Sequence, residues 1–180
     1  MQKEIIIAGF GGQGVLFGGQ VVALAAMDAG WQVTWIPSYG PEMRGGTANC
    51  TVVIADDEIG SPLVEHPLLA IVLNLPSLDK YEPLLQAGGT LVVNGSMVDR
   101  AAKRADIRTL MVPCNQIAEE VGSRKLVNMV AVGALVSALP ELGLEALEKA
   151  LTDHLPSRHR DMLAMNREAL RRGFAAARSN

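Results

Sequence analysis

Two glycine-rich segments contain the residues whose types and spacing could bind a ligand. The first places Gly9, Gly11 and Gly14 at the G-x-G-x-x-G spacing, directly after an apolar run and before a helical pattern. Glycine lets the backbone turn sharply and approach a ligand with no Cβ in the way, and the amides that open a helix favour an anion there. We therefore predict that Gly11, Gly12, Gln13 and Gly14 bind a phosphate or carboxylate.

The second segment runs from Tyr39 to Gly46 (YGPEMRGG) and is longer than a simple connection of about two to six residues requires. Arg44 can bind a carboxylate or phosphate with both arms of its guanidinium, and Tyr39 offers a ring for stacking. An ordered loop in which Arg44 pairs with Glu42 remains an alternative. We predict that the whole segment binds a cofactor, through Tyr39, Gly40, Pro41, Glu42, Met43, Arg44, Gly45 and Gly46.

A dinucleotide site would place an acidic residue at the end of the second strand, about 20 residues after the glycine motif, to bind the ribose hydroxyls. That position reads Ile36-Pro37-Ser38 and holds no carboxylate, while Glu42 lies further on, within the loop. The pattern therefore disfavours an NAD site. A different anionic or nucleotide-like ligand remains open, and so do glycines that serve only strand–helix packing.

Alternating apolar runs and helical patterns supply the elements that position these segments. Continuous β-branched runs predict strands buried on both faces, and strands that alternate with helices predict an α/β fold. We expect a single Rossmann-like domain over residues 1–180, with a doubly wound, mostly parallel sheet, helices on both faces and a helical C-terminal part. The predicted strands are Glu4–Ala8, Trp31–Ile36 (stopped by Pro37), Thr47–Ala55, Leu69–Asn74, Thr90–Asn94 and Ile107–Val112. The predicted helices are Val15–Ala29, Pro76–Gln86, Asn115–Val121, Lys125–Leu139, Leu144–His154 and Ser157–Arg178.

Composition limits the classes of function. Of 180 residues, 49% are hydrophobic and the net charge is −3, which excludes intrinsic disorder and argues against nucleic-acid binding. No stretch is long enough to span a bilayer and no signal peptide is apparent, so we expect a cytoplasmic protein with no membrane contact. The mean hydropathy of +0.21 suggests apolar surface that a partner covers. The C-terminal part is basic, with 13 Lys/Arg against 9 Asp/Glu from residue 100 onward, which we interpret as a polar coating on helices.

The residues suggest no catalytic or metal-binding group. Cys50 and Cys114 lie far apart without partners at ligand spacing, so we expect reduced, buried thiols and no zinc or iron–sulfur site. The histidines at 66, 154 and 159 fit solvated or helix-capping positions. Asn94 and Asn128 lie in apolar surroundings and need hydrogen-bond partners, either as ordinary satisfied amides or in a site.

These motifs resemble the gamma subunit of 2-oxoacid:ferredoxin oxidoreductases over nearly the whole chain. The YGPEMRGG segment together with GGQGV is far more specific than a glycine motif alone. The form of the YGPEMRGG segment is closer to that of the 2-oxoglutarate and 2-ketoisovalerate members of the family than to that of the pyruvate or indolepyruvate members. The resemblance rests on residues 9–15, 39–54, 60–63, 76–94 and 125–135, with Asn166 in the last helix.

The resemblance implies a multi-subunit enzyme that oxidatively decarboxylates a 2-oxoacid to an acyl-CoA and reduces ferredoxin. Thiamine diphosphate and 4Fe-4S clusters are expected only on partner subunits, alpha and beta with delta as a further candidate. This chain is expected to serve assembly and the coenzyme A side of the site, and to be inactive alone. Two alternatives remain: a stand-alone NAD(P)-binding oxidoreductase, and a non-catalytic ligand-binding or assembly module.

Overall fold

The computed structural model describes residues 1–39 and 46–179, and its strands form one six-stranded sheet. Their spatial order is β2-β3-β1-β4-β5-β6. The strand bounds are β1 Gln2–Phe10, β2 Gln32–Tyr39, β3 Thr47–Ala55, β4 Leu69–Val72, β5 Thr90–Asn94 and β6 Arg108–Val112.

The direction of β3 distinguishes the two halves of the sheet. Strands β1, β4, β5 and β6 pair in parallel, whereas β3 lies antiparallel to both β1 and β2. Because β1 and β2 both oppose β3, they run in the same direction and end at the same edge of the sheet. The predicted mostly parallel, Rossmann-like sheet is confirmed, and the reversed β3 is a feature that the sequence patterns did not indicate.

Six α-helices accompany the sheet in the described part of the chain. They are α1 Val15–Asp28, α2 Leu75–Tyr81, α3 Cys114–Val121, α4 Val127–Val136, α5 Gly143–His154 and α6 Leu163–Arg178. Three short 3₁₀ segments adjoin them at Glu82–Leu84, Arg124–Leu126 and Ser157–Met162. Pro83 accounts for one of these breaks, because proline cannot donate the next helical hydrogen bond.

Strand β2 extends further than predicted. We expected it to stop at Pro37, but it continues through Pro37 and Ser38 to Tyr39. Strand β2 lies at the edge of the sheet, where one side of its backbone has no neighbouring strand among the described residues. A proline nitrogen on that side costs no ladder hydrogen bond, so proline is tolerated there. The predicted loop is correspondingly shorter at its start.

Helices cover both faces of the sheet, as predicted, but unequally. On one face α1, α3, α4, α5 and α6 pack against side chains that include Ile5, Ile7 and Ile71. On the other face, α2 and its 3₁₀ extension pack on a smaller cluster that includes Ile6 and Val72. All ten residues of α4 are buried, so the centre of the larger layer is a helix without a solvent-facing side.

The crossing of α4 and α6 brings the two helix backbones into contact. A Cβ added at Gly133 would overlap the carbonyl oxygen of Leu170. A Cβ added at Gly173 would overlap the carbonyl oxygen of Val130 in the same way. Each helix therefore presents a glycine to the backbone of the other, which allows an approach that no larger residue permits.

An ion cluster joins α5 to α6 beside this crossing. The Glu148 carboxylate, only 9% exposed, accepts hydrogen bonds from the Arg171 Nε at 2.6 Å and the Arg167 Nη2 at 2.9 Å. These hydrogen bonds, those of Arg171 foremost, hold the pKa of Glu148 below its ordinary value despite its burial.

None of the helices in the described residues combines the length and apolar character needed to cross a membrane.

Candidate functional site

The glycine loop between β1 and α1 has a geometry that its glycines require. Gly12 has φ +98° and Gly14, which caps α1, has φ +73°, both in the left-handed region. A Cβ at Gly14 would also lie 2.5 Å from Nδ2 of Asn128. That Nδ2 donates a hydrogen bond to the Gly14 carbonyl oxygen at 3.0 Å. Gly14 therefore serves the packing of α4 on the loop as well as the turn.

Gln13 folds back onto the sheet. Its Oε1 accepts hydrogen bonds from the Phe10 amide at 2.7 Å and from Nδ2 of Asn74 at 3.3 Å. Its Nε2 donates to the Leu73 carbonyl oxygen at 3.4 Å. A Cβ at Gly9 would lie 2.6 Å from the same Oε1, so Gly9 makes room for this side chain. Gln13 therefore holds the loop against the end of β4.

Amide side chains continue this arrangement along the carboxyl edge of the parallel strands. Nδ2 of Asn94 donates to the Leu73 carbonyl oxygen at 3.3 Å and to Oδ1 of Asn115 at 2.8 Å. Its Oδ1 accepts from the Ser96 amide at 3.2 Å. Asn94 is therefore a satisfied buried amide. Asn128 is satisfied too, because its Oδ1 accepts the Met129 amide at 2.9 Å in addition to the bond that its Nδ2 makes.

An open cleft of about 500 Å³ lies over the glycine loop, a volume typical of small-molecule sites. Within the described residues its lining has no charged side chain, and a Cβ built at Gly12 would meet no atom within 4 Å. We call it the glycine cleft; it is lined by Phe10, Gly11, Gly12, Gly14, Val15, Leu16, Phe17 and Ala48. Backbone and apolar side chains thus surround whatever binds here.

The second glycine-rich segment begins and ends beside this cleft. The Gly11 amide donates to the Gly46 carbonyl oxygen at 2.9 Å, and Phe10 pairs with Thr47 across β1 and β3. At the other end of the segment, Tyr39 pairs with Ala48. The flanks of the two glycine-rich segments therefore lie side by side. The side chain of Tyr39 lies outside the described residues, as do Gly40, Pro41, Glu42, Met43, Arg44 and Gly45, so their roles stay predictions.

Two further cavities adjoin Phe17 on the helical side of the loop, and the sequence patterns did not indicate them. They have volumes of about 240 and 210 Å³ and share Phe17, Leu155 and His159. Phe17 also lines the glycine cleft, so the three spaces adjoin one another. The cationic residues Lys125 and Arg158 line them as well. The basic excess after residue 100 was the available signal, which we interpreted only as surface coating.

No described nucleophile or metal-ligand cluster accompanies the cleft. Burial raises the pKa values of both Cys50 and Cys114 to about 12, which leaves them protonated thiols at neutral pH. Nε2 of His154 lies 2.9 Å from Oδ2 of Asp28, and Nδ1 of His66 lies 3.1 Å from the Leu84 carbonyl oxygen. Within residues 1–39 and 46–179, no three His, Cys, Asp or Glu side chains form a metal-binding group.

Comparison with known proteins shows what the chain resembles. A family model described as "Pyruvate ferredoxin/flavodoxin oxidoreductase" matches residues 4–176. The 2-oxoglutarate synthase subunit KorC of Methanothermobacter marburgensis is 39% identical over 163 residues, which cover 87% of this chain and 88% of the relative. The ketoisovalerate oxidoreductase subunit VorA of Methanothermobacter thermautotrophicus is 35% identical over 180 residues, 99% of this chain but 37% of the relative. The chain thus spans about a third of the length of the VorA proteins that it matches.

Solved structures agree with these matches. The gamma subunit of a keto/oxoacid ferredoxin oxidoreductase from Geobacter sulfurreducens superposes with a TM-score of 0.83 at 31% identity, covering 99% of both chains. A 2-oxoglutarate:ferredoxin oxidoreductase from Magnetococcus marinus, solved with 2-oxoglutarate, coenzyme A and succinyl-CoA bound, gives a TM-score of 0.86 at 24% identity. The match covers 99% of this chain and 31% of that one. Because only 24% of the aligned residues are identical, the match supports the fold alone.

Proposed function

Because the chain belongs to the pyruvate ferredoxin/flavodoxin oxidoreductase family, we propose that it is the gamma subunit of a 2-oxoacid:ferredoxin oxidoreductase. The substrate would be 2-oxoglutarate or a branched-chain 2-oxoacid, as the names of the KorC and VorA relatives suggest. KorC and VorA are both named as subunits of their enzymes, which favours a hetero-oligomer. The partners would be alpha and beta subunits, with delta as a further candidate, and ferredoxin would react with the complex.

The observation that carries this proposal is the chemical character of the glycine cleft. It adjoins both flanks of the second glycine-rich segment, has the size of a ligand site, and is lined in its described part by backbone and apolar side chains. Such a cleft can hold and orient a ligand, but its described residues offer no nucleophile and no acid–base group. We infer that this chain shapes the path of the acyl acceptor, coenzyme A, while partner subunits hold thiamine diphosphate and the 4Fe-4S clusters.

The contribution of this chain to the reaction would be positioning. Overall, the 2-oxoacid loses CO₂ and two electrons, the electrons reduce ferredoxin, and the acyl group forms a thioester with the thiol of coenzyme A. The glycines at 11, 12 and 14 let an uncharged arm approach the backbone, and Phe10 and Leu16 keep water from it. Gln13 and Asn128 hold the loop that forms this wall.

Exposed apolar side chains support the association with partners. Met27, Ile36, Leu63 and Met97 are between 39% and 82% exposed, with Leu63 the most exposed. Burial of such side chains stabilises protein interfaces by roughly 25 cal/mol per Å² of apolar area removed from water. Their exposure in the single chain, together with the positive mean hydropathy, fits a subunit that is covered in its assembly.

Purification from the native cell tests the proposed function. We expect a tagged chain to retain partner subunits that carry thiamine diphosphate and iron, and the complex to reduce a viologen dye with a 2-oxoacid and coenzyme A. The isolated chain should be colourless and inactive. Recovery of the chain without such partners would contradict the proposal, and tight NADH binding by the isolated chain would favour the alternative of a stand-alone oxidoreductase.

A further inference from the structure

The connection between β3 and β4 is longer than its ends require. It comprises residues 56–68, which form neither a helix nor a strand. Ala55, at the end of β3, pairs with Gln2 of β1, and β4 begins on the other side of β1, where Leu69 pairs with Ile5. The two ends of the connection therefore lie roughly 15 Å apart, a distance that about five extended residues span. The excess length must project from the sheet.

The ends of this connection are held by the sheet, whereas its middle is not. The Asp56 amide donates to the Met1 carbonyl oxygen at 3.2 Å. The Leu68 amide donates to the Glu4 carbonyl oxygen at 3.1 Å. Between them, the hydrogen bonds that residues 57–65 make in the described structure stay within that segment. We call residues 57–65 the acidic loop.

Leu63 is the apolar residue that the acidic loop presents to solvent. Its side chain is 82% exposed, whereas Ile59 and Val64 of the same loop are partly buried. The Leu63 amide donates to Oγ of Ser61 at 3.2 Å, and the ring of Pro62 restricts the backbone between them. A side chain held in this way loses little conformational freedom when it binds. Leu63 is therefore suited to enter an apolar pocket on another protein.

The charged residues of the acidic loop are all negative. Asp57, Glu58 and Glu65 form no ion pair with any cation in the described part of the chain. The sequence contains no Lys or Arg from residue 45 to residue 79. Carboxylates at the rim of a contact select and orient a partner of opposite charge. The loop thus combines one exposed apolar side chain with carboxylates that the chain does not neutralise.

We propose that the acidic loop is a docking element for a partner subunit. Leu63 enters an apolar pocket of that subunit, and lysine or arginine side chains at the rim of the pocket pair with Glu58 and Glu65. An acidic protein surface would be repelled by the same carboxylates. This inference rests on the proposed function for the existence of the partner, and it adds the residue that makes the contact and the charge of the surface that receives it.

Dissociation of the assembled enzyme on dilution, followed by mass photometry, tests the contact. We expect Leu63→Ser to raise the Kd between this chain and its partner subunits at least tenfold. Leu63→Met keeps an apolar side chain of similar volume and should alter this Kd less than twofold. Because Leu63 is exposed, both variants should unfold at the same urea concentration as the wild-type chain, which separates a lost contact from misfolding.

The salt dependence of the same Kd tests the charges. We expect the wild-type Kd to rise roughly fivefold between about 50 and about 500 mM NaCl, because salt screens exposed charge pairs. The Kd of Glu58→Gln/Glu65→Gln should rise less than about twofold over this range. The matched control is Glu145→Gln/Glu168→Gln, which makes the same change in net charge at exposed positions of α5 and α6 and should keep the wild-type response.

A photo-crosslink identifies the surface that receives the loop. The chain has two cysteines, Cys50 and Cys114, and both are buried. Gly60→Cys therefore adds a single accessible thiol, at a position where an added Cβ meets no atom within 4 Å. A benzophenone maleimide attached there should cross-link, in the assembled enzyme, to a partner-subunit peptide that contains apolar residues and lysine or arginine.

Three results in an intact, active complex would overturn the docking role. These are an unchanged Kd for Leu63→Ser, a loop charge variant with the salt response of the wild type, and a cross-link to a second copy of this chain or to no subunit. Each would refute the docking role while leaving the proposed function in place. A chain that never assembles with thiamine-containing partners would refute the proposed function and, with it, the docking role.

Discussion

The α4–α6 crossing and the glycine cleft both depend on glycine, but for opposite reasons. At Gly133 and Gly173 the space of the missing side chain is filled by a carbonyl oxygen of the facing helix. At Gly12 a Cβ would meet nothing within 4 Å. The crossing is a closed part of the core, and the cleft is a surface left accessible. Glycine therefore indicates packing in one region and access in the other, and only the surroundings distinguish the two.

The largest effect is expected at the crossing. Gly133→Ala and Gly173→Ala each force a methyl group against a helix backbone that cannot rotate away, so each should reduce the free energy of unfolding by about 3 kcal/mol. Urea denaturation followed by circular dichroism measures the loss. Gly60→Ala, at an open position in a loop, is the control and should change the free energy by less than about 0.5 kcal/mol. Equal effects at all three positions would remove the distinction between closed and open glycines.

The ion cluster beside the crossing should give a smaller, pH-dependent effect. Glu148→Gln should lower the free energy of unfolding by about 1.5 kcal/mol at pH 7, because partly exposed arginines lose a charged acceptor. The folded state lowers the pKa of Glu148, so its contribution is complete above the ordinary glutamate pKa of about 4.3 and is lost as the pH falls through the folded value. Denaturation of the wild type and of the Glu148→Gln variant should therefore show a smaller difference in the free energy of unfolding at pH 3 than at pH 7. The control is Asp153→Asn, which removes an exposed ion pair with Lys149 on α5 and should leave the urea midpoint of unfolding unchanged at both pH values.

At the cleft, Gln13 should matter to stability more than an exposed glutamine does. Gln13→Ala removes the acceptor of the Phe10 amide and of Asn74, so we expect a loss of about 1 kcal/mol in the free energy of unfolding. Gln116→Ala removes only a surface hydrogen bond to Glu120 and serves as the control. If both variants unfold at the same urea concentration, Gln13 does not hold the loop.

The smallest energetic difference, and the sharpest functional one, is expected between two open glycines. Gly12 and Gly30 have similar positive φ angles, +98° and +88°, and at neither would an added methyl group meet an atom within 4 Å. Alanine at either should therefore cost about 1 kcal/mol of backbone strain. Only Gly12→Ala places a methyl group in the cleft, so only this variant should raise the KM for coenzyme A in the assembled enzyme. A similar KM in both variants would show that access at Gly12 is irrelevant.

Local sequence patterns were sufficient for the elements and for the place of the first loop. Apolar β-branched runs such as Glu4–Ala8 fix strands, and Gly14 followed by Val15 fixes a helix start. The reversed direction of β3 could not be predicted, because the burial pattern of a strand does not indicate the direction in which the strand runs. The predicted end of β2 was wrong for a related reason. Proline interrupts a central strand but is tolerated in an edge strand, and local sequence does not show which strands lie at the edge.

Only the part of the candidate site that is contiguous in sequence could be predicted. The glycine loop is contiguous in sequence, so its residues could be named before the fold was known. The two cavities beside Phe17 are also lined by Lys125 and Arg158, which lie on the 3₁₀ segments Arg124–Leu126 and Ser157–Met162 and reach α1 only through tertiary packing. Likewise, nothing in the sequence indicates that Gly133 and Gly173 face each other's helices. Such juxtapositions arise from tertiary packing and have no local pattern.

Pro37 has a consequence for the behaviour of the chain at high concentration. An exposed edge strand is a template on which strands from other molecules can polymerise. Strand β2 is such an edge, but the nitrogen of Pro37 has no hydrogen to donate to an incoming strand. The same residue that the sheet tolerates at its border thereby opposes the growth of that sheet into aggregates.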